Sequence, residues 1–133
     1  MRRPDIIGGL IVAAFLMGAS AATSSAWAGP WEDGMASYNR GDYLPAMRLF
    51  RPLAEAGNPK AQSVIGVMYR RGEGVARSTS RAFMWLSLAA RRGDSRAKSD
   101  LRDISRTMSR EEVSQAQAMM QACEASNYRD CGY

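Results

Sequence analysis

The sequence predicts an all-α domain in which helix pairs stack side by side into a short superhelix. The first observation is an internal repeat, because residues 41–62 and 77–98 match each other at an offset of 36 positions. The two copies share small or capping residues at equivalent places: Ala46 and Ala82, Ala54 and Ala90, Gly57 and Gly93, Asn58 and Asp94, Ala61 and Ala97. A repeat of this length is typical of arrays whose units bury their apolar faces only against neighbours, and such arrays mostly bind other molecules.

The second observation is helical periodicity between glycine and proline breaks. Apolar side chains recur every three or four positions, and no segment alternates strictly as a half-buried strand would. We expect helices over about residues 31–40, 43–56, 59–71, 79–92, 95–107 and from 109 onward. They should form about three antiparallel pairs, of which the third is diverged, as the end of an array is expected to be.

Capping residues mark where these helices begin and end. Asp42, Asn58 and Asp94 each stand just before a periodic segment, where a side-chain oxygen can accept a hydrogen bond from the first turn. Ser109 to Glu112 has the spacing of a capping box. Gly57 is placed to end the second helix.

The N-terminal 28 residues have the layout of a cleavable signal peptide. A basic opening at Met1 to Arg3 precedes an apolar stretch from Ile6 to Met17, and Ala26-Trp27-Ala28 matches an A-x-A cleavage site. The apolar run is shorter than the roughly 20 residues that a membrane span needs, so we expect no transmembrane anchor after cleavage. The expected organisation is a signal peptide over 1–28, a helical repeat domain over 29–126 and a tail over 127–133, in a secreted or periplasmic protein.

Composition restricts the chemistry of the exported part. Removal of the leader changes the formal net charge from +5 to +4, with both signs interspersed, which mildly favours anionic partners but is not typical of nucleic-acid binding. The chain has no histidine, the commonest general base and metal ligand. Its only cysteines, Cys123 and Cys131, are an even number in an exported chain, which predicts a disulfide.

No set of residues points to catalysis. Serines are plentiful, but the chain lacks a G-x-S-x-G elbow, and it has no histidine to activate a serine. The acidic pairs Glu32-Asp33 and Glu111-Glu112 stand at predicted helix starts, where they favour the helix dipole. We therefore expect a protein that is not an enzyme and that has no catalytic residues, no bound metal and no cofactor.

The second predicted pair, with the turn that follows it, carries a recognisable pattern of small and aromatic residues: Ala61, Gly66, Val67, Met68, Tyr69, Gly72, Glu73, Gly74, Val75, Ala82, Trp85, Leu86, Ala89, Ala90 and Gly93. This pattern resembles the Sel-1-like repeat, a relative of the tetratricopeptide repeat with a longer internal loop. Ile65 stands where leucine is usual, and Ser78 where aspartate is common. The first pair resembles the shorter tetratricopeptide version.

The resemblance implies a concave surface lined by the first helix of each pair. Its positions here would be Glu32, Ala36, Asn39 and Arg40 in the first helix, Lys60, Ser63, Val67, Arg70 and Arg71 in the third, and Arg96, Ser99, Asp103 and Arg106 in the fifth. Six of them form a basic stripe: Arg40, Lys60, Arg70, Arg71, Arg96 and Arg106. We expect this stripe to bind an acidic segment of a protein partner. Such a protein would act as a scaffold, regulator or assembly factor in the cell envelope.

The C-terminal tail is similar to the C-x7-C spacing of cysteine-rich secreted members of that family, which implies a bridge from Cys123 to Cys131. An unbroken helix would separate these residues by about 12 Å, farther than a disulfide tolerates. A turn at Ser126-Asn127 is therefore required.

Two other functions remain open at this stage. A binder of cell-wall or other envelope polysaccharide would use Trp31, Tyr38 and Trp85 as stacking platforms, although we expect Trp85 to be buried. A small hydrolase of the β-lactamase-like cysteine-rich repeat type is the other alternative.

Overall fold

A computed structural model describes residues 29–132. The expected signal peptide, with its cleavage after Ala28, and the last residue of the tail, Tyr133, lie outside the described residues. Within the described part there are six α-helices and no strand, so the chain has the all-α helical repeat fold that the sequence predicts. The helices are α1 (Pro30–Asn39), α2 (Tyr43–Glu55), α3 (Pro59–Arg71), α4 (Thr79–Arg91), α5 (Ser95–Ser105) and α6 (Arg110–Ala125).

Most helix starts are capped as expected. The Asn58 side chain accepts hydrogen bonds from the amides of Lys60 and Ala61, and Asp94 accepts one from Ala97. At α6 both halves of the capping box form, between Ser109 and Glu112. These bonds satisfy amide groups that a helix start leaves without intrahelical partners.

Asp42 is the exception among the expected caps. Its side chain makes no capping hydrogen bond at the start of α2. Its carboxylate lies 3.1 Å from Nε of Arg40 instead, so the nearby guanidinium has replaced the helix amides as its partner.

The first four helices form two hairpins in sequence. α1 packs on α2, α2 on α3, and α3 on α4, where the contact is the most extensive in the described part of the chain. Helices α2, α3 and α4 contribute large side chains that are almost completely shielded from water: Phe50, Ile65, Met68, Tyr69, Trp85 and Leu86. The burial of Trp85 agrees with the sequence-based expectation.

The third pair differs from the expected hairpin. α5 and α6 each pack on α4, and they make little contact with each other. Within α5 only Ala97 and Ile104 are fully buried, with Leu101 half-buried. This narrow apolar stripe faces α4, which leaves too little apolar surface on α5 to hold α6 as well.

The connection between α3 and α4 depends on two glycines. Gly72 ends α3 with a φ of 70°, and Gly74 has a φ of 71°, in the left-handed region that glycine adopts without strain. A Cβ on Gly74 would lie 2.9 Å from Cβ of Tyr43, so the missing side chain also lets this turn rest on the start of α2.

The C-terminal tail is closed by a disulfide between Cys123 and Cys131, whose Cα atoms are 4.4 Å apart. The required turn is present, since α6 ends at Ala125 and Asn127 and Tyr128 both have positive φ. Both sulfurs belong to buried residues.

The closed tail packs back onto the repeats. The guanidinium of Arg92, just after α4, donates a 2.9 Å hydrogen bond to the Tyr128 hydroxyl and stacks over its ring. The same guanidinium comes within 2.6 Å of the position that a Cβ on Gly57 would occupy, at the turn between α2 and α3. The tail thereby links α6 to the turn between the first two hairpins.

Between residues 29 and 132, none of the helices has both the length and the apolar character that crossing a lipid bilayer demands.

Replacing Gly66 with alanine should lower the free energy of unfolding by about 1–3 kcal/mol, because the new methyl group overpacks the α3–α4 contact. A Cβ at this position would lie 2.8 Å from Cγ of Leu86 and 3.2 Å from its backbone nitrogen. The higher helix propensity of alanine offsets about 1 kcal/mol of this cost at most. Urea denaturation measures the difference, with Ser99→Ala on the exposed side of α5 as control. Equal or higher stability of Gly66→Ala would contradict the close approach.

Breaking the disulfide should lower the free energy of unfolding by about 2 kcal/mol, because the bridge restricts the unfolded chain. The comparison is between the wild type and a variant carrying both Cys123→Ala and Cys131→Ala, each unfolded in urea with and without a thiol reductant. The reductant should destabilise the wild type and leave the double variant unchanged. A wild type insensitive to complete reduction would show that the bridge contributes nothing to stability.

Candidate functional site

A groove of about 530 Å³ is formed by α1, α3 and the first half of α5. Its lining combines aromatic, apolar and charged side chains: Trp31, Met35, Tyr38, Lys60, Ser63, Val64, Val67, Arg70, Arg71, Asp94, Arg96 and Asp100. The groove therefore lies on α1, α3 and α5, the helices on which the sequence analysis placed the concave surface.

The lining follows a simple rule of helix position. Trp31, Lys60 and Arg96 are each the second residue of their helix. One turn later come Met35, Val64 and Asp100, and a further three residues along lie Tyr38 and Val67. Side chains three or four positions apart share one helix face, so equivalent faces of the three helices meet at the groove.

The middle of the groove is apolar. Met35, Val64 and Val67 are half-buried there, and the Trp31 ring packs against Phe50 with 5.3 Å between ring centroids. Sequence reasoning missed this apolar floor on α1, where it chose Glu32, Ala36 and Asn39, each one position too far along. The signal was present in the spacing of Trp31, Met35 and Tyr38, which repeats the face of α3 when the helix starts are aligned.

Four of the six residues of the expected basic stripe line the groove, namely Lys60, Arg70, Arg71 and Arg96. Arg40 does not, since it is exposed after the end of α1 and bound to Asp42. Arg106 also lies outside, because α5 packs mainly on α4 and touches α3 only briefly. Ser99 and Asp103 of α5 are likewise not part of the lining, which on this helix includes Arg96 and Asp100.

Carboxylates neutralise part of this positive charge. Arg70 lies 3.4 Å from Asp100, and Arg71 lies 3.7 Å from Glu73. Among residues 29–132 no carboxylate comes within ion-pair distance of Lys60 or Arg96, and Asp94 beside them is engaged by the Ala97 amide at 2.7 Å. The unneutralised cations are thus at the end of the groove where α3 and α5 begin.

Tyr38 closes the opposite end of the groove. Its hydroxyl donates a 2.6 Å hydrogen bond to Glu73, and its ring lies edge-on to that of Tyr43. Burial, with smaller contributions from the hydrogen bond and the negative charge of Glu73, raises the pKa of Tyr38 to about 12. This hydroxyl remains neutral at physiological pH and serves to fix Glu73 and, through it, Arg71.

A second cavity, of about 390 Å³, lies on another side of α4, between α5 and α6. It exists because these two helices do not pack along each other. Phe83, Leu101 and Met120 are among its lining residues.

The described residues contain no group of three or more acidic or cysteine side chains that could hold a metal ion. The groove offers cations, an apolar floor and aromatic rings. These features suit a binding surface, and none of the lining residues forms a nucleophile with an adjacent base.

Comparison with known protein families shows that residues 59–94 match the Sel1 repeat. The matched segment runs from the start of α3 through the glycine turn to Asp94, and so contains the central helix of the groove and the helix that supports it. Sel1 repeats generally mediate protein–protein interaction and are generally non-catalytic modules.

The pKa of Tyr38 predicts a loss of stability at alkaline pH. Because the folded-state pKa lies above the unfolded value of 10, the stabilising contribution of Tyr38 is complete below pH 10 and disappears as pH rises to about 12. Stability measured by urea denaturation across this range should fall more steeply for the wild type than for Tyr38→Phe. Glu73→Gln should give an intermediate slope. Parallel curves for wild type and Tyr38→Phe would contradict the assignment.

Proposed function

Since the chain is a Sel1-like repeat protein, we propose that it is an exported interaction module whose concave groove binds an acidic segment of a partner protein. The observation that supports this most directly is the groove itself, which combines an apolar floor with four cationic side chains on the first helices of the repeats. Acidic side chains bind such cations through charge-assisted hydrogen bonds, while the apolar floor removes hydrophobic surface from water.

Two features support export of the protein. The first 28 residues have the composition of a signal peptide, and the disulfide of the tail is of a kind that persists in oxidising compartments. In the periplasm or outside the cell the module would serve as a scaffold, a regulator or an assembly factor of the envelope.

An envelope polysaccharide is the second candidate ligand, because Trp31 and Tyr38 line the groove. Its stacking surface is smaller than the sequence suggested. Trp85 is fully buried and cannot stack on a sugar, and Trp31 already packs against Phe50. Quenching of tryptophan fluorescence by added glycans distinguishes this ligand from a protein partner.

Photo-crosslinking tests the proposed function in the cell. A crosslinking amino acid at Val67, in the middle of the groove, should capture a partner protein in the cell envelope. Reversing both unneutralised charges, with Lys60→Glu and Arg96→Glu together, should reduce this capture at least tenfold, because the groove would then repel an acidic segment. Mass spectrometry identifies the captured protein, and quantitative immunoblotting measures the yield.

The matched control reverses two exposed cations of α5 outside the groove lining, with Lys98→Glu and Arg102→Glu. It changes the net charge by the same amount and should leave capture unchanged. The proposal fails if the groove variant captures as much partner as the wild type, or if both charge variants lose it equally.

A further inference from the structure

The free positive charge of the groove is concentrated in one pair of equivalent residues. Lys60 and Arg96 are related by the 36-residue repeat offset, and each follows a helix start by one position. Their side chains therefore reach the groove at the same level, with Trp31 of α1 beside them. Since the carboxylates of the described region leave this pair without an ion pair, it is the place where a ligand's negative charge gains most.

At the opposite end of the groove, the two arginines already have carboxylate partners within the protein. Arg70 is held by Asp100, and Arg71 shares Glu73 with the hydroxyl of Tyr38. A ligand carboxylate arriving there would have to displace a carboxylate of the protein. This end gives the ligand a polar boundary and does not anchor its charge.

Between the two ends lies a hydrophobic step. Val64 follows Lys60 by one helical turn, with Met35 of α1 at the same level and Val67 just beyond. All three are partly exposed, so an apolar ligand side chain placed on them would remove their remaining surface from water. The groove thus has a cationic part at Lys60 and Arg96, next to an apolar part at Met35, Val64 and Val67.

The distance between these two parts matches an extended peptide. Four residues of α-helix rise about 6 Å, from Lys60 to Val64. Two residues of extended chain span about 6.6 Å, and their side chains point to the same face. From Lys60 to Arg70 the helix rises about 15 Å, which accommodates roughly five extended residues.

We propose that the groove recognises an extended peptide segment of a partner protein in which an acidic residue and a bulky apolar residue stand two positions apart. The acidic side chain binds Lys60 and Arg96, and the apolar side chain lies on Met35, Val64 and Val67. This inference rests on the proposed function and adds to it a spacing that defines the partner.

Fluorescence anisotropy with labelled six-residue peptides tests the spacing. The reference probe carries glutamate and leucine two positions apart in a serine and glycine background, made in both chain orders. Replacing its glutamate with glutamine should weaken binding by about tenfold, and so should moving the leucine next to the glutamate, since an adjacent side chain points to the opposite face. The favoured order of the reference probe should bind the purified wild type best of the series.

Protein variants locate the two contacts. Lys60→Ala with Arg96→Ala should weaken the reference probe at least tenfold and reduce the difference between glutamate and glutamine probes. Val67→Thr, which keeps the shape of the side chain, should reduce the preference for leucine over serine. The control variant, Lys98→Ala with Arg102→Ala, should bind like the wild type. Circular dichroism and urea denaturation confirm that each variant is folded.

The outcomes separate this inference from the proposed function. Equal binding of the correctly and incorrectly spaced probes, or no binding of any probe, overturns the spacing rule, while cellular capture that depends on Lys60 and Arg96 leaves the proposed function standing. If capture also ignores these two residues, both ideas fail. Binding of the reference probe that survives Lys60→Ala with Arg96→Ala places the charge contact elsewhere and overturns the inference.

Discussion

The contact between α3 and α4 at Gly66 determines the rest of the molecule. The absence of a side chain at this position lets Leu86 and the α4 backbone come within about 3 Å of the space that a Cβ would occupy. Trp85 and Leu86 are thereby shielded completely from water, together with Ile65 and Met68 of α3. The close approach is thus the condition for burying the largest side chains of the domain.

The position of α3 also explains why the groove exists. α3 packs on α2 with one side and on α4 with another, so its remaining face, from Lys60 to Arg71, is left to solvent. α1 and the start of α5 stand on either side of that face. The groove is therefore a consequence of stacking hairpins, and its chemistry is set by the few side chains that repeat packing leaves exposed.

In stacked repeats, residues at equivalent helix positions lie side by side along the groove. In this chain the residue types at such equivalent positions differ between α1, α3 and α5. The second residue of α1, α3 and α5 is Trp31, Lys60 and Arg96, respectively. The position one turn later changes from Met35 and Val64 to Asp100, which is used internally by Arg70. If the groove binds a partner as proposed, its preferences would come from the differences between the repeats, whereas the fold comes from what they share.

Local signals were sufficient to predict the helices. Glycines, prolines and caps such as Asn58 and Asp94 act within one turn, so their effects can be read from adjacent residues. The observed helix boundaries lie within two positions of the expected ones, and those of α3 coincide with them. The disulfide and the turn it requires were also predictable, because the two cysteines are the only ones in the chain.

The groove was only partly predictable, because its lining depends on how helices pack. Arg106 lies outside the groove because α5 diverges from α3, and no residue within α5 indicates this divergence in the sequence. The pairing of Arg70 with Asp100 joins residues 30 positions apart. The groove lining on α1 differs by one position from Glu32, Ala36 and Asn39, because Trp31, Met35 and Tyr38 contact both the core and the groove.

The most direct measurement of the central claim, that the surface of the first helices is the binding site, is a map of backbone amide chemical shifts while a glutamate-and-leucine peptide is added. Shifts should concentrate at Trp31 to Tyr38, at Lys60 to Arg71 and at the start of α5, and the amides of α6 should remain unchanged. Shifts that concentrate instead around Phe83 and Met120, in the cavity between α5 and α6, or that spread evenly over the helices, would contradict it.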